Sequence, residues 1–178
     1  KGKMRLSFSA GNRARSLLKQ QADLLKTLAL SLTCGPEKVF DVVEALKRDL
    51  SLTRNELKQA QDQLARNIAD QLIAKNHASR SPFIIASIPN INGEVLRRVG
   101  TILTANESMV VFLAAPQNEG THVLVARGKK ATLDCGRFLK RAAELNGGRG
   151  GGRRHHAQGR LSNPLDWSGT VTMVLTEK

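Results

Sequence analysis

The chain has 178 residues, of which 40% are apolar, 24% are charged and 3% are aromatic. This length fits one ordinary domain or two small ones, and the apolar content excludes a disordered basic tail. No apolar run approaches the roughly 18 residues of a transmembrane helix. No secretory signal pattern occurs either, so we expect neither membrane insertion nor export.

Positive charge is concentrated in two stretches. The chain contains 28 Lys and Arg against 15 Asp and Glu, a formal net charge of +13. Residues 1–26 hold seven basic and one acidic side chain, and residues 127–160 hold ten basic and two acidic ones. A basic surface can serve solubility alone, but clustered basic residues on an otherwise balanced chain more often mark a polyanion partner.

The first residues and the cysteines indicate whether the chain is a fragment and in which compartment it is located. The opening Lys-Gly-Lys-Met is typical of the interior of a longer protein, so we expect the chain to be a fragment of one. Neither Cys34 nor Cys135 lies in a zinc-ligand spacing. Two scattered cysteines without an export signal favour a cytoplasmic location.

The first part of the chain is predicted to be helical after a short strand. Residues 4–10 alternate apolar and polar side chains, which predicts a strand. Leucines at three- and four-residue steps predict a helix over residues 13–33. A second helix, with apolar residues at heptad positions, is predicted over residues 36–75. We expect its first half to pack antiparallel against the first helix, and its second half to pack against the following domain or a second chain.

The second part alternates strand and helix patterns, which predicts an α/β fold. Its second and third strands are expected to form a hairpin, so the sheet is mixed. The predicted elements are a strand at 83–88, a helix at 94–105, strands at 108–115 and 121–126, a helix at 132–145, a glycine-rich loop at 147–152 and a closing strand at 169–176.

The glycine-rich stretch is the most informative part of the sequence. Five glycines within six residues are costly to order, a cost tolerated where backbone approaches another group closely. Their N–H groups can form an anion nest, and the interleaved arginines suit bidentate phosphate contacts. The candidate binding residues here are Gly147, Gly148, Arg149, Gly150, Gly151, Gly152, Arg153, Arg154, His155, His156 and Gln158.

Other chemistries fit this stretch less well. It contains no GxxxxGK[ST] motif, and it follows a predicted helix and not a strand, which excludes a dinucleotide fingerprint. Adjacent histidines diverge and no third ligand is in view, so no metal site is predicted. A disordered Arg-Gly segment is an alternative, but patterned structure flanks the stretch on both sides. Four histidines are too few to indicate a catalytic triad.

The segment GGRGGGRRHHAQG resembles the GGxGGGxxxxAQ signature of the DHH-associated domain of alanyl-tRNA synthetases and of the longer alanyl-tRNA editing proteins. Residues 4–14, MRLSFSAGNRA, resemble the RxxFxxGxRA segment that closes the editing domain of those proteins. A helical stretch links the two segments there, as residues 13–75 do here. Two features depart from the family, the His-His pair before AQ and Arg160-Leu161 after Gly159.

The resemblance implies a fold of class α/β (α+β), a helical hairpin with coiled-coil character followed by a mixed-sheet DHH-associated domain. It also implies tRNA binding, most directly of alanine tRNA, for deacylation by a zinc-dependent editing domain absent from this chain. Neither the HxxxH nor the CxxxH half-site of that domain occurs, so we expect no catalytic residue, metal or cofactor here. The implied divisions are an editing-domain remnant at 1–11, the helical hairpin at 12–76, a linker at 77–82 and the DHH-associated domain at 83–178.

Four further basic residues are expected to bind the phosphate backbone of the tRNA. They are Lys129, Lys130, Arg137 and Arg141, the last two being four apart on one face of a predicted helix. Two other functions stay open. The long helix can form a homodimer through Val43, Leu50, Leu57 and Leu64, a hypothesis that burial of these residues within one chain would weaken. The domain can also help a DHH-type phosphoesterase to bind nucleotides.

Overall fold

The structure is a computed structural model that describes residues 4, 10–79, 81–118, 120–162 and 166–176. The strand predicted at residues 4–10 lies almost wholly outside the described residues. The chain divides into two compact units, residues 1–57 and 58–178.

The first unit is helical. Helix α1 covers Gly11–Ser31, a single 3-10 turn covers Pro36–Lys38, and helix α2 covers Val39–Ser79 and extends into the second unit. Pro36 opens the turn, where its missing N–H costs no hydrogen bond. Helix α2 continues to Ser79, beyond the predicted end at residue 75. Pro82 disfavours helical conformation at the residue before it, Ser81, and leaves residues 76–79 free to extend the helix.

The leucines that helices α1 and α2 contribute to the first unit are exposed. Four leucines of α1, at positions 17, 24, 25 and 28, are between 42 and 63% exposed, and Leu50 and Leu57 of α2 are 51% and 57% exposed. These leucines are therefore not fully buried within one chain, and the antiparallel packing of the two helices stays a prediction. The hairpin as a domain over residues 12–76 stays a prediction.

The second unit is built on a mixed five-stranded sheet, which confirms the predicted fold class. The strand order is β1-β2-β3-β5-β4, with β1 parallel to β2 and the other pairs antiparallel. The predicted β2–β3 hairpin is confirmed. The elements are β1 (Phe83–Ser87), α3 (Gly93–Leu103), β2 (Val110–Gln117), β3 (Gly120–Arg127), α4 (Cys135–Asn146), β4 (Gly148–Arg153), β5 (His156–Leu161) and α5 (Trp167–Thr176).

Helices cover both sides of the sheet centre. On one side, Leu96 of α3 and Ala69 of α2 pack with Leu124 of β3 in one buried cluster. On the other side, Leu139 of α4 and Trp167 of α5 belong to a second buried cluster. Because strand β2 is buried on both sides, its sequence is a continuous apolar run and not an alternating one.

The prediction of a closing strand at residues 169–176 is wrong, because this segment belongs to helix α5. Its β-branched residues favour a strand locally, but packing overrides that preference. The Trp167 indole nitrogen donates a 3.0 Å hydrogen bond to the Phe112 carbonyl, which anchors the helix on the sheet. The Thr170 and Thr172 hydroxyls donate to carbonyls four residues earlier, as threonines in helices do.

Candidate nucleic-acid interface

The glycine-rich stretch is not a loop, since residues 148–153 form the edge strand β4. Gly147 ends helix α4 with a φ of 67°, and Gly148 begins the strand with a φ of 118°, conformations that favour glycine. Strand β4 pairs with β5 through a tight turn at Arg154-His155. A prediction based on glycine content missed this strand, because glycine is usually depleted in strands.

Close packing explains several of the glycines. A Cβ on Gly150 would lie 2.8 Å from Leu139 of α4, and one on Gly152 would lie 2.5 Å from the Ala157 Cα of β5. On β5, a Cβ on Gly159 would lie 2.6 Å from the Arg149 carbonyl oxygen. Helix α4 and the two strands therefore approach more closely than side chains at these positions allow. This close packing explains why these three positions are glycines, so an anion nest is not needed to explain them.

The other side of the hairpin carries basic and polar side chains. Directly paired residues of antiparallel strands project to the same side of a sheet. The pairs Arg149–Arg160 and Arg153–His156 therefore share a side with the pair Gly151–Gln158. On this side, Leu124 of β3 is paired with Gln158, and it packs under α3. We call this surface, formed by Arg149, Arg153, His156, Gln158 and Arg160, the arginine face.

Helix α3 borders the arginine face and adds a fourth arginine. The Arg97 side chain is half-exposed and lines a cleft of about 450 Å³ with Gln158 and Arg160. Burial lowers the pKa of His156, and the charges of His155 and Arg97 lower it further. His156 is therefore mainly neutral at pH 7 in the free protein. Arg97 lies close to the arginine face, because it lines the same cleft as Gln158 and Arg160.

Ion pairs hold α3 in place beside this surface. The guanidinium of Arg98 is paired with Asp62 of α2 and, at 3.0 Å, with Glu94 one turn earlier. The hydrogen bond to Asp62 raises the pKa of Arg98. Glu94 also accepts a 2.9 Å hydrogen bond from Arg97, the main cause of its lowered pKa. Glu94 therefore stays a carboxylate and positions two arginines.

The structure separates the predicted binding residues into several surfaces. Arg137 and Arg141 are exposed on α4, which covers the opposite side of the sheet, and Arg141 forms a 3.1 Å ion pair with Glu144. Lys129 and Lys130 lie in the segment after β3, and both are exposed. Lys130 forms a 2.8 Å ion pair with Glu107, which precedes β2. The turn residues Arg154 and His155 are also exposed, with Arg154 lying 3.8 Å from Asp134 at the start of α4.

Three residues beside the predicted site were missed, namely Arg97, His122 and Arg160. Once β5 is recognised as a strand, the alternation in His156-Ala157-Gln158-Gly159-Arg160 indicates that its polar residues share one side. Arg160 could therefore have been found from the sequence. Arg97 and His122 are distant in sequence, and only the packing of α3 over β3 brings them to the same cleft.

The part of the chain that the structure describes shows neither a metal-binding cluster nor an activated thiol at Cys135. Within the described ranges, no three His, Cys, Asp or Glu side chains are grouped closely enough to hold a metal ion. Burial raises the pKa of Cys135 to about 11, so its thiol is protonated at neutral pH and is a poor nucleophile. Of the helices described, none is long and apolar enough to cross a membrane.

Comparisons with known proteins agree with this fold. Residues 80–171 match the model of the DHHA1 domain. The chain is 30% identical over 172 residues to an alanine–tRNA ligase of Herpetosiphon aurantiacus, which covers 93% of this chain and 19% of that protein. It is also 30% identical over 164 residues to an alanine–tRNA ligase of Thermococcus kodakarensis, covering 92% of this chain and 17% of that protein. The chain thus spans about a fifth of the length of these curated relatives.

A solved structure shares the fold at low sequence identity. The crystal structure of RecJ in complex with Mn²⁺ from Thermus thermophilus matches 84% of this chain and 22% of its own, with a TM-score of 0.59 and 18% identity. This likeness concerns the fold alone. The family match covers more than half of the chain and includes the glycine-rich strand, so the chain belongs to the DHHA1 domain family.

Proposed function

We propose that this chain binds tRNA through the arginine face and Arg97. The observation that carries the proposal is the placement of three strand arginines on one exposed side of the β4–β5 hairpin. Arginine presents a planar fork of donors that matches phosphate oxygens. Nothing lies within 4 Å of a Cβ at Gly151 in the middle of this surface, so a ligand can approach the sheet closely.

Such a surface binds chiefly the phosphate backbone. Contacts of Lys and Arg with phosphates release counterions, so the affinity falls steeply with salt and depends little on sequence. Aromatic residues make up 3% of the chain, and the Phe112, Phe138 and Trp167 rings are buried in the core whereas Phe40 and Phe83 are exposed. So few exposed rings argue against stacking platforms for long single strands.

The relatives support a finer version of the proposal. Because the chain is similar to alanine–tRNA ligases over most of its length, the preferred partner would be alanine tRNA. In this version the chain holds the tRNA while a zinc-dependent editing domain of a longer cytoplasmic protein deacylates it when mischarged. The described residues offer no metal-binding cluster, so the zinc would be held outside them.

Binding across a salt series tests the proposal. Alanine tRNA and an unrelated tRNA would be titrated with the chain at salt concentrations from about 50 to about 200 mM. We expect the affinity for both to fall by at least about tenfold over this range. Similar affinities for the two tRNAs would assign selectivity to other domains. Absence of binding at the lowest salt concentration would refute the proposal, and binding of mononucleotides alone would favour the phosphoesterase hypothesis.

A second candidate function, homodimerisation through α2, is favoured by the exposed leucines of the first unit. With Val43, Leu50 and Leu57 at heptad position a, Asp49 lies at position g and Arg54 at position e. In a parallel dimer, Asp49 of one copy faces Arg54 of the other, whereas an antiparallel pair brings like charges together. The charge pattern therefore favours a parallel dimer.

Sedimentation of charge variants tests this dimer. The substitution Asp49→Lys should weaken the dimer by placing two positive charges opposite each other, and the added substitution Arg54→Glu should restore it. The matched control Arg48→Glu changes a charge outside these positions and should have little effect. A chain that is monomeric at all concentrations would refute the dimer without affecting tRNA binding.

A further inference from the structure

We infer that the cleft between α3 and strands β3 and β5 binds a single unpaired nucleotide of the RNA. This inference rests on the proposed function, because it adds a base-binding site beside a surface proposed to hold phosphates. The cleft has a volume of about 450 Å³, within the range of small-molecule pockets. Its polar lining consists of Glu94, Arg97, His122, Gln158 and Arg160.

The lining of the cleft also includes apolar side chains that a base can contact. Leu96 of α3 and Leu124 of β3 line the cleft with the small part of each side chain that stays accessible. The His122 ring stands against Gly93, where a Cβ would be 3.4 Å from His122 Nδ1. Proteins recognise unpaired RNA bases by placing them against planar side chains such as histidine and arginine. His122 and Arg97 provide two such groups.

Polar side chains that line the cleft can form hydrogen bonds with a base. The exposed amide of Gln158 offers both a donor and an acceptor. The Glu94 carboxylate can accept from an exocyclic amino group, and its hydrogen bond from Arg97 fixes its position. A base in a duplex has this edge occupied by its partner, so the cleft selects an unpaired base.

The arginine face continues directly from the cleft. Arg160 lines the cleft and is paired in register with Arg149 on the edge strand. Arg160 also lines a neighbouring hollow of about 590 Å³ that contains Asn90, Asn92 and Gln117. A nucleotide in the cleft would therefore have basic and amide side chains beside its flanking phosphates.

Two substitutions can alter the base site without removing positive charge. Gln158→Leu removes the hydrogen-bonding edge at similar size. Gly151→Val adds a side chain directly beside Gln158, because the two residues are paired in register. The space at Gly151 is open and valine favours strands, so this variant should fold. Gln59→Leu, on the exposed surface of α2, is the matched control for Gln158→Leu.

Competition between RNAs tests the inference. Labelled tRNA bound to the chain would be displaced by a single-stranded RNA hexamer of mixed sequence or by a blunt-ended RNA duplex long enough to stay paired, and the two competitors would be compared at equal phosphate concentration. We expect the hexamer to compete roughly tenfold better, the effect of one accommodated base. Gln158→Leu and Gly151→Val should remove this preference, whereas Gln59→Leu should keep it. Because Gln158 and Gly151 lie in the tRNA-binding surface, the affinity for tRNA falls in both variants, but its salt dependence stays the same because no charge is removed.

The outcomes separate this inference from the proposed function. Equal competition by hexamer and duplex overturns the inference, as does a preference that survives in both folded variants. If tRNA binding stays strong and salt-dependent in either case, the proposed function stands while the base site does not. Absence of tRNA binding overturns both. Thermal unfolding of each variant distinguishes loss of the cleft from loss of the fold.

Discussion

The two sides of the β4–β5 hairpin differ in packing, since one is closely packed beside α4 and the other carries exposed side chains. On the side of α4, Gly150 and Gly152 leave no room for a side chain, and Ala157 is completely buried. On the other side, Arg149 and Arg153 are exposed and Gly151 has empty space above it. Because strand residues alternate between sides, one short motif serves two purposes. Its glycines allow close packing of the scaffold, and its arginines are presented to a ligand.

The largest effect is expected from removing the side chain that supports the packed side. Leu139→Ala should lower the free energy of unfolding by about 2–5 kcal/mol, because Leu139 is completely buried against Gly150. Denaturant unfolding measures this change. Leu145→Ala, on the same helix but 41% exposed, is the control and should cost much less. Equal costs for the two variants would contradict the packing described for α4.

A smaller effect is expected from adding one methyl group to either side of the hairpin. Gly152→Ala should cost about 1–3 kcal/mol, since its Cβ would overlap the β5 backbone. Gly151→Ala should be neutral or stabilise by up to about 1 kcal/mol, because its space is open and alanine reduces the entropy of the unfolded chain. The two melting curves should therefore shift in different directions. A loss of stability at Gly151 as large as that at Gly152 would remove the contrast between the two sides.

The smallest effect is expected on the pH dependence of stability. Burial and the nearby charges of His155 and Arg97 lower the pKa of His156 from its usual 6.5. The folded state then binds fewer protons at this site than the unfolded state, so its contribution to stability is complete above about pH 6.5 and is lost as pH falls towards the folded pKa. Unfolding curves between about pH 7.5 and about pH 5.5 measure this loss. His156→Gln should have a flatter profile, and an unchanged profile would contradict the prediction.

The sequence predicted most of the α/β unit but misjudged its last third. The buried strands β2 and β3 were predictable because their apolar runs are long and uninterrupted. Helix α5 was missed because its β-branched residues suggest a strand, although Trp167, Thr170 and Val171 already show helical spacing. Strand β4 was missed because local preference disfavours glycine, whereas the contact with α4 requires it.

The candidate site likewise has residues that local sequence patterns predict and residues that only long-range packing brings together. The arginines of β4 were predictable from composition and motif, since they interleave with the glycines. Their assembly with Arg97 and His122 depends on how α3 packs over β3, a long-range contact that local patterns do not contain. The position of Arg137 and Arg141 on the opposite side of the sheet likewise depends on the fold.

The most direct test of tRNA binding by the arginine face compares two double substitutions on opposite sides of the sheet. Arg149→Gln/Arg153→Gln and Arg137→Gln/Arg141→Gln remove the same charge, and tRNA affinity would be measured for both across a salt series. We predict that the first variant binds at least about tenfold more weakly, with a salt slope shallower by about 2, because two phosphate contacts are lost. The second variant should stay close to the unsubstituted chain. Equal losses in the two variants, or a larger loss from the α4 pair, would contradict the assignment of tRNA binding to the arginine face.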